Sequence, residues 1–488
     1  MGSRDDCIRF LLDGEVVEVS GLPATTTVLD WLRDHAGRTG TKEGCAEGDC
    51  GACTVLLGEY QGGNAPLRYR TFNSCIRFLP TIDGCELVTV ESLVDDGVLH
   101  PAQRALVAEH GSQCGFCTPG FVMSLAGLYL EQPAPDREQV VRAIAGNLCR
   151  CTGYRPIIDA GLAMGGLEPA KTWHPERVDT PARRAALAKL VRRRTLELPD
   201  LVAPRSLDEL ASWRQAEPDA QLLAGGTDLG LEVTKALRNL PKLIYTGQVP
   251  ELHVLETTAA GLRIGAAVPL ADAWAAIVAA FPGFEEVADR FASPPVCHSG
   301  TLGGNVANGS PIGDCMPVLL ALDARVELRR GASVRELSLA DFYLDYRRTA
   351  MAADEFLVAI TVPEAQGCWH YAGYKLGKRW DQDISAVCAG FAIQVDAKVI
   401  VAARLGFGGM AGIPARAPAA EAALIGATVE GASFEVAADA LASDFEPIDD
   451  LRASASYRLI SAGNLLRRFG LALTSEERKP LSVWEVTP

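Results

Sequence analysis

The sequence predicts a multidomain α+β protein. Three observations carry the prediction: a length of 488 residues, a strand-and-cysteine pattern near the N-terminus, and two glycine-rich turns in the second half. One hydrophobic core does not serve a chain this long. At roughly 100–200 residues per domain it divides into about three or four units. Apolar residues at 48% suffice for globular packing. The formal net charge of -15 argues against a sequence-independent grip on nucleic acid, which needs a surplus of Lys and Arg.

Within Met1 to Leu12, Arg4, Asp5, Asp6 and Arg9 interrupt the apolar run that a secretory signal requires. No stretch reaches the roughly 18 apolar residues of a membrane span. Fourteen cysteines without such a signal point to a reducing compartment, where clustered thiols serve as metal ligands rather than disulfides. The chain reads as cytoplasmic.

The first element is a hairpin, Cys7 to Leu12 and Glu15 to Val19, closed near Asp13-Gly14. A helix over Val28 to Ala36 and strands at Thr54 to Leu57 and Glu86 to Val90 follow, the order of a ferredoxin-like β-grasp unit. Between them Cys45, Cys50 and Cys53 have C-x4-C-x2-C spacing, and Cys75 adds a fourth thiol. This is the arrangement of a plant-type two-iron, two-sulfur cluster. Gly44, Gly48 and Gly51, with Ala46 and Ala52, suit a loop that wraps its backbone around an inorganic core. Four-thiolate zinc is the competing reading, but zinc sites usually pair two short hooks.

The second set is Cys114 and Cys117, then Cys149 and Cys151. Thr118 and Pro119 predict an N-cap and first helical position, with Phe121, Leu125 and Leu128 on one face. Asp136 and Gln139 predict a second cap, followed by Val140, Ile144 and Leu148 at helical spacing. Each thiol pair therefore sits at a helix end, and Cys117 precedes an N-terminus whose dipole favours a thiolate. Spacing alone leaves a zinc hook open here.

From Glu168 to Leu198 the chain reads as irregular and charged, with Pro169, Pro175 and Pro181 ahead of Arg183, Arg184, Lys189, Arg192, Arg193 and Arg194. A linker running into an exposed helix is one reading; docking on an acidic partner is the other. Gln221 to Ala224 then predicts a strand opening into Gly225-Gly226-Thr227-Asp228, with a helix over Leu229 to Leu237. Ser299 to Asn305 forms a second glycine-rich element leading into Ser310 to Asp314. Two such loops can flank one diphosphate, because glycine lets backbone N–H groups approach it. Neither is the G-x-G-x-x-G fingerprint, so a doubly wound dinucleotide fold is not supported. Cys297, Cys315, Cys368 and Cys388 lack ligand spacing and read as buried thiols.

The runs Gln113 to Gly120 and Asn147 to Pro156 resemble the xanthine dehydrogenase family of molybdenum hydroxylases. Gly44 to Thr54 looks like that family's outer cluster loop, and the two glycine loops resemble its FAD-binding domain. The resemblance implies five segments: a ferredoxin-like domain over 1–92, an all-α four-helix cluster domain over 93–167, a linker over 168–197, a two-subdomain α/β FAD-binding domain over 198–368, and a C-terminal α+β domain over 369–488, with Ser454 to Phe469 a helix. It further implies that Cys114, Cys117, Cys149 and Cys151 hold the cluster nearest the molybdopterin, toward which Gln113 reaches. By the same resemblance Leu223, Ala224, Gly225, Gly226, Thr227 and Asp228 line the FAD diphosphate, met from the other side by Thr301, Gly304 and Asn305. Asp314 meets flavin or adenosine hydroxyls, Leu357 or Val358 touches the ring, and Lys375 and Asp383 belong to a segment that closes over it. Phe291 stands where the family stacks an aromatic ring, although a core role fits it equally well. Cys297-His298 departs from the Arg-Asn that relatives often carry.

After these segments no residues are left for a molybdenum-binding portion, so the analogy implies a partner subunit and an α2β2 heterotetramer. The implied reaction is oxidation of hypoxanthine or xanthine to urate on the partner, with electrons passing through the inner and outer clusters to FAD and then NAD; oxygen is the alternative acceptor. Rival readings are an aldehyde or N-heterocycle dehydrogenase subunit, a stand-alone ferredoxin-type carrier or NADH-linked reductase, and a zinc-stabilised binding module.

Overall fold

The computed structural model describes residues 7–364 and 366–474, which gather into two compact units. Unit one runs as far as Pro250 and includes Ala292–Thr301; unit two comprises Glu251–Phe291 and the chain from Leu302 onward. The packing boundary thus falls inside the 198–368 segment.

Unit one opens with the expected hairpin. Strands β1 (Ile8–Leu12) and β2 (Glu15–Val19) pair antiparallel across Asp13 and Gly14, both at positive φ, the geometry that matches strand twist in a two-residue turn. With β3 (Thr54–Glu59), β4 (Arg68–Asn73) and β5 (Glu86–Val88) they form a sheet of order β2-β1-β5-β3-β4, in which β1 and β5 run parallel. Helix α1 (Val28–Asp30), capped by Thr27, continues as a wider turn over Trp31–His35. Trp31 meets the buried Phe10 edge-on, closing the β-grasp core.

Helices α2 (Pro101–Ala108), α3 (Thr118–Glu131), α4 (Arg137–Ile144) and α5 (Arg155–Ala163) share a core that includes Phe121, Leu125, Val140 and Ile157. The Asp136–Gln139 capping box is present. Two details differ from expectation. Cys117 rather than Thr118 is the N-cap of α3, and α4 ends at Ile144, leaving Leu148 beyond it and exposed.

The segment read as a linker running into an exposed helix does contain that helix, preceded by a short one and packed rather than exposed. It contains α6 (Pro175–Val178) and α7 (Pro181–Leu190), each with proline at its first position and a cap from His174 or Thr180. Leu187 and Leu190 join the helical core. Its arginines meet acids of the same chain: Arg192 with Asp83 at 2.6 Å, Arg183 with Glu86 at 3.5 Å, Arg184 with Asp179 at 2.9 Å. Strands β6 (Leu196–Leu198), β7 (Leu201–Ala203), β8 (Gln221–Leu223) and β9 (Leu243–Tyr245) follow in the order β6-β7-β9-β8, with β7 and β8 parallel to β9. Helices α8 (Leu207–Ala216) and α9 (Leu229–Thr234) accompany them.

Unit two holds an antiparallel sheet of β10 (Leu255–Thr258), β11 (Gly261–Gly265), β12 (Arg325–Arg330), β13 (Ser333–Ser338) and β16 (Phe356–Pro363), ordered β10-β11-β16-β12-β13, with a small hairpin of β14 (Tyr343–Asp345) and β15 (Arg348–Thr349). A second antiparallel sheet comprises β17 (Trp369–Leu376), β18 (Val387–Asp396), β19 (Val399–Gly408) and β20 (Ala415–Arg416). Helix Cys315–Ala321 lies directly on β18 and β19, because a Cβ at Gly390 or Gly406 would stand 2.5 or 2.2 Å from the Pro317 carbonyl. The predicted C-terminal helix spans Ala455–Thr474, and residues 475–488 of the predicted domain lie outside the described residues.

Candidate functional site: two thiol clusters and a glycine cradle

The outer loop joins α1 to β3. Ala46, Gly48 and Gly51 take positive φ there, turning backbone N–H groups inward. The N–H groups of Glu47, Asp49 and Cys50 donate to Cys45 Sγ at 3.3–3.4 Å. Cys53 and Cys75 Sγ lie 3.2 Å apart, buried with Leu29 and Ile76. Hydrogen bonds from Cys50 and Cys75 hold the Cys45 thiol far below its ordinary range, and a bond from Cys75 lowers Cys53 against the effect of burial. Their partners move the opposite way: Cys50 is raised by its bond to Cys45 and Cys75 by its bonds to Cys45 and Cys53, each reinforced by burial.

The inner set repeats this two-plus-two pattern at helix ends. Cys114 is lowered by the Phe116 N–H and by a bond from Cys151, whose own thiol is raised by that bond. Burial pushes Cys117 up to about 12, aided by its bond with Cys149. Burial opposes ionisation of Cys149, but Thr152 overcomes it through its hydroxyl at 3.0 Å and N–H at 3.4 Å. Gly115 and Gly153, at positive φ, and Tyr154, in the same region at 69°, fold these loops. Gln113, Cys114 and Cys151 are exposed. Two thiol pairs on glycine-bearing loops are the donor set that a two-iron, two-sulfur cluster would require. The residues at both sites fit that group, and binding it requires all four thiols to shed protons.

Unit one also brings the two sets together. The Leu148 N–H donates to the Cys50 carbonyl at 3.0 Å. On its other side the outer loop touches the glycine turn: a Cβ at Gly230, in the first turn of α9, would lie 2.7 Å from the Ile76 carbonyl, next to Cys75. Lys235 Nζ reaches the Cys45 carbonyl at 3.1 Å and Glu47 at 3.4 Å.

That turn, Ala224–Gly226, meets the second glycine loop within unit one. A Cβ at Gly225 would stand 2.0 Å from the Ser299 carbonyl, and Ser299 Oγ donates to the Gly225 carbonyl at 2.9 Å. Arg77, buried and stacked on Phe72, donates to Ser299 Oγ at 3.0 Å. Leu223 and Thr301 are buried, Thr227 is half-buried and Asp228 is exposed. His298 Nδ1 lies 3.1 Å from both the hydroxyl and carbonyl oxygens of Thr71. Sequence reasoning missed Arg77, Ile76 and Lys235, since nothing in a lone arginine or lysine announces a buried or loop-bracing role.

In unit two, Phe291 packs against Trp274 with ring centres 5.7 Å apart and is 9% exposed. Gly303 seats the helix Leu302–Asn308 against Ala266, where a Cβ would stand 2.5 Å from the Ala266 carbonyl. Gly304 and Asn305 lie half-buried on this helix, and Asn305 Oδ1 is a buried acceptor without a partner. An orphaned acceptor beside a glycine fits a hydroxyl- or amide-bearing cofactor. Asp314 is engaged internally: Lys375, 1% exposed, bonds its carboxylate and also the Asp383 carbonyl at 2.8 Å and Ser385 Oγ at 3.1 Å. Asp383 accepts N–H groups of Lys378 and Arg379, which keeps its carboxyl below the ordinary range despite partial burial. Leu357 and Val358 are buried in β16. Cys315 and Cys388 are buried as expected, whereas Cys297 is half-buried and Cys368 exposed, at the chain's entry to the edge strand β17.

These features define an iron–sulfur flavoprotein. Family models agree along the chain: a 2Fe-2S iron-sulfur cluster binding domain over residues 10–77, a [2Fe-2S] binding domain over 89–162, an FAD binding domain in molybdopterin dehydrogenase over 195–365, and a CO dehydrogenase flavoprotein C-terminal domain over 372–473. Xanthine dehydrogenase 2 of Arabidopsis thaliana is 31% identical over 474 residues, covering 83% of this chain and 35% of that protein. The carbon monoxide dehydrogenase structure from Hydrogenophaga pseudoflava matches at 30% identity and a TM-score of 0.52, over 55% of this chain and 94% of that one. Quinoline 2-oxidoreductase from Pseudomonas putida 86 matches at 27% and 0.50, over 55% of this chain and 94% of that one. The chain belongs to the molybdenum hydroxylase family, that of xanthine dehydrogenase, and carries two 2Fe-2S domains and an FAD-binding domain. It spans about a third of the length of the curated relatives it matches. Among the described residues no helix is long and apolar enough to cross a membrane.

Proposed function

We propose that this chain is the iron–sulfur and FAD subunit of a xanthine dehydrogenase, paired with a molybdenum-binding subunit in an α2β2 assembly. Cys114, Cys117, Cys149 and Cys151 hold the inner cluster and Cys45, Cys50, Cys53 and Cys75 the outer. Within unit one, residues 223–228 and Thr301 form the cradle for the FAD diphosphate; Phe291, Gly304, Asn305, Asp314 and Val358 are the further FAD contacts that the family resemblance implies. Lys375 and Asp383 fix the surrounding backbone. Bound there, the clusters relay single electrons from molybdenum, and FAD collects the pair and passes a hydride to NAD.

The observation carrying this reading is the unbroken run of contacts in unit one, from the Cys149 loop through Leu148 and Cys50 to Ile76 and α9. It supports the order inner, outer, flavin. Gln113 and Cys114, exposed at its far end, present the inner site to the electron donor. Xanthine as substrate is supported by the relatives that match most of the chain. The likeness to quinoline 2-oxidoreductase favours an N-heterocycle as the second candidate. The thiol-rich composition supports a reducing, cytoplasmic setting.

The test is a substrate screen of the complex purified with its partner. Xanthine-dependent reduction of NAD is expected, together with a brown absorption spectrum. Turnover of a quinoline or an aldehyde without xanthine turnover would move the assignment to the rival substrate class, and a colourless protein would overturn the cofactor assignments.

A further inference from the structure

Two backbone loops meet between the thiol sets. Cys50 is an outer ligand and Leu148 adjoins the inner ligand Cys149, and their 3.0 Å hydrogen bond links the two sites. Asn147, one residue earlier, is 3% exposed. Its Nδ2 donates to the Gly51 carbonyl at 3.0 Å and to Thr54 Oγ1 at 3.5 Å, while its Oδ1 accepts from Ser124 Oγ of α3 at 2.6 Å. Both ends of the amide are therefore used, one on the outer loop and one on the helix that follows Cys117.

Glycines permit this approach. Gly51 has φ +67°, and a Cβ there would fall 2.1 Å from the Gly146 carbonyl; a Cβ at Gly120 would fall 2.2 Å from the Gly51 carbonyl. The outer loop is thus gripped on two sides, backbone against backbone. Any side chain at these positions would push the loops apart and open the Leu148–Cys50 bond.

We propose that Asn147 is the positioning residue for electron transfer between the two clusters. By clamping Gly51 and Thr54 to Ser124 it keeps the Leu148 N–H on the Cys50 carbonyl. That completes a bonded route from Cys149 Sγ through the Leu148 peptide and the hydrogen bond to Cys50 Sγ. Electronic coupling decays less steeply along bonds than across a gap, so this contact sets the rate. One electron crosses per event: the inner site is oxidised by one, the outer reduced by one, and no bond is made or broken. The inference rests on the ligand assignment above.

Asn147→Ala and Ser124→Ala, made in the holoprotein and reduced with dithionite, test it. Electron paramagnetic resonance is expected to show both cluster signals at their wild-type g values with weakened magnetic splitting between them. The transfer rate between clusters after rapid partial reduction is expected to fall roughly tenfold in Asn147→Ala, the scale of other outer-sphere losses at metal sites, and less in Ser124→Ala. Full iron content with unchanged splitting and rate in both variants would overturn the proposal. Should Asn147→Ala lose iron, Ser124→Ala decides alone, and wild-type behaviour there also overturns it. Wild-type protein without two distinct two-iron signals would refute the ligand assignment instead.

Discussion

The two thiol sites of unit one are built in contrasting ways. Cys53 and Cys75, at 1% and 3% exposure, are enclosed by Leu29 and Ile76, with Leu231 of α9 packed against them. Cys114 and Cys151 stand exposed at helix ends. On the proposed function the difference is a division of labour: an open edge to receive electrons, and an insulated interior to hand them on without loss to stray oxidants. The outer site is braced by strands and a buried ion pair, the inner by caps and short turns.

The largest break in this contrast should come from Arg192→Met. It strands Asp83, which also accepts the Arg9 N–H at 2.8 Å, as an unpaired buried charge in the β-grasp half. A loss of about 3–5 kcal/mol is expected in urea unfolding, with the outer cluster signal disappearing before the inner. Simultaneous loss would show that both sites unfold as one body.

A somewhat smaller effect belongs to the helical half. His100 caps α2 by accepting the Ala102 N–H at Nδ1, and its Nε2 bonds the Trp173 carbonyl at 3.3 Å. The cap requires the neutral ring, and burial depresses its pKa to about 4. The unfolded chain binds a proton near pH 6.5 and the folded chain does not. The stability this ring contributes is therefore complete above about pH 6.5 and is lost as pH falls toward 4, a change on the order of 3 kcal/mol. Urea titrations at stepped pH should show that slope, and His100→Gln should flatten it; equal slopes in both proteins would remove His100 as its source.

The smallest effect is kinetic. Brief treatment of the holoprotein with an iron chelator should bleach the inner cluster ahead of the outer, followed by electron paramagnetic resonance. Loss in the reverse order would contradict the exposure difference.

Local chemistry made part of this legible in advance. Asp13-Gly14 announced the hairpin because two residues set the turn, and Asp136 with Gln139 announced α4 because a capping box is a four-residue device. Spacing alone suggested an iron cluster only for the first four cysteines and left zinc open at the second four, which the motif resemblance read as a cluster; the structure brings the thiols of each set together in pairs. In residues 168–197 a helix was expected, but Pro175 looked like a breaker although it begins a short helix, where its missing N–H costs nothing, and the burial of Leu187 and Leu190 was not foreseen. Leu148 kept helical spacing although the chain had already turned to bring its N–H to Cys50. Strand β4 was missed because its sequence is polar, and only tertiary pairing explains why Arg70, Thr71 and Asn73 are buried there. The glycine turn at Gly225 was legible, but its contact with Ser299 spans a sequence distance of 74 residues that no local pattern encodes.

Arg77 and Ser299 are separated by 222 residues and His298 and Thr71 by 227. A ribosome must therefore translate through residue 299 before the N-terminal half can make its last internal contacts. Until then Arg77 emerges with its Ser299 partner still unmade, a stretch of nascent chain in which chaperones have time to act and in which folding pays the delay of a long-range closure.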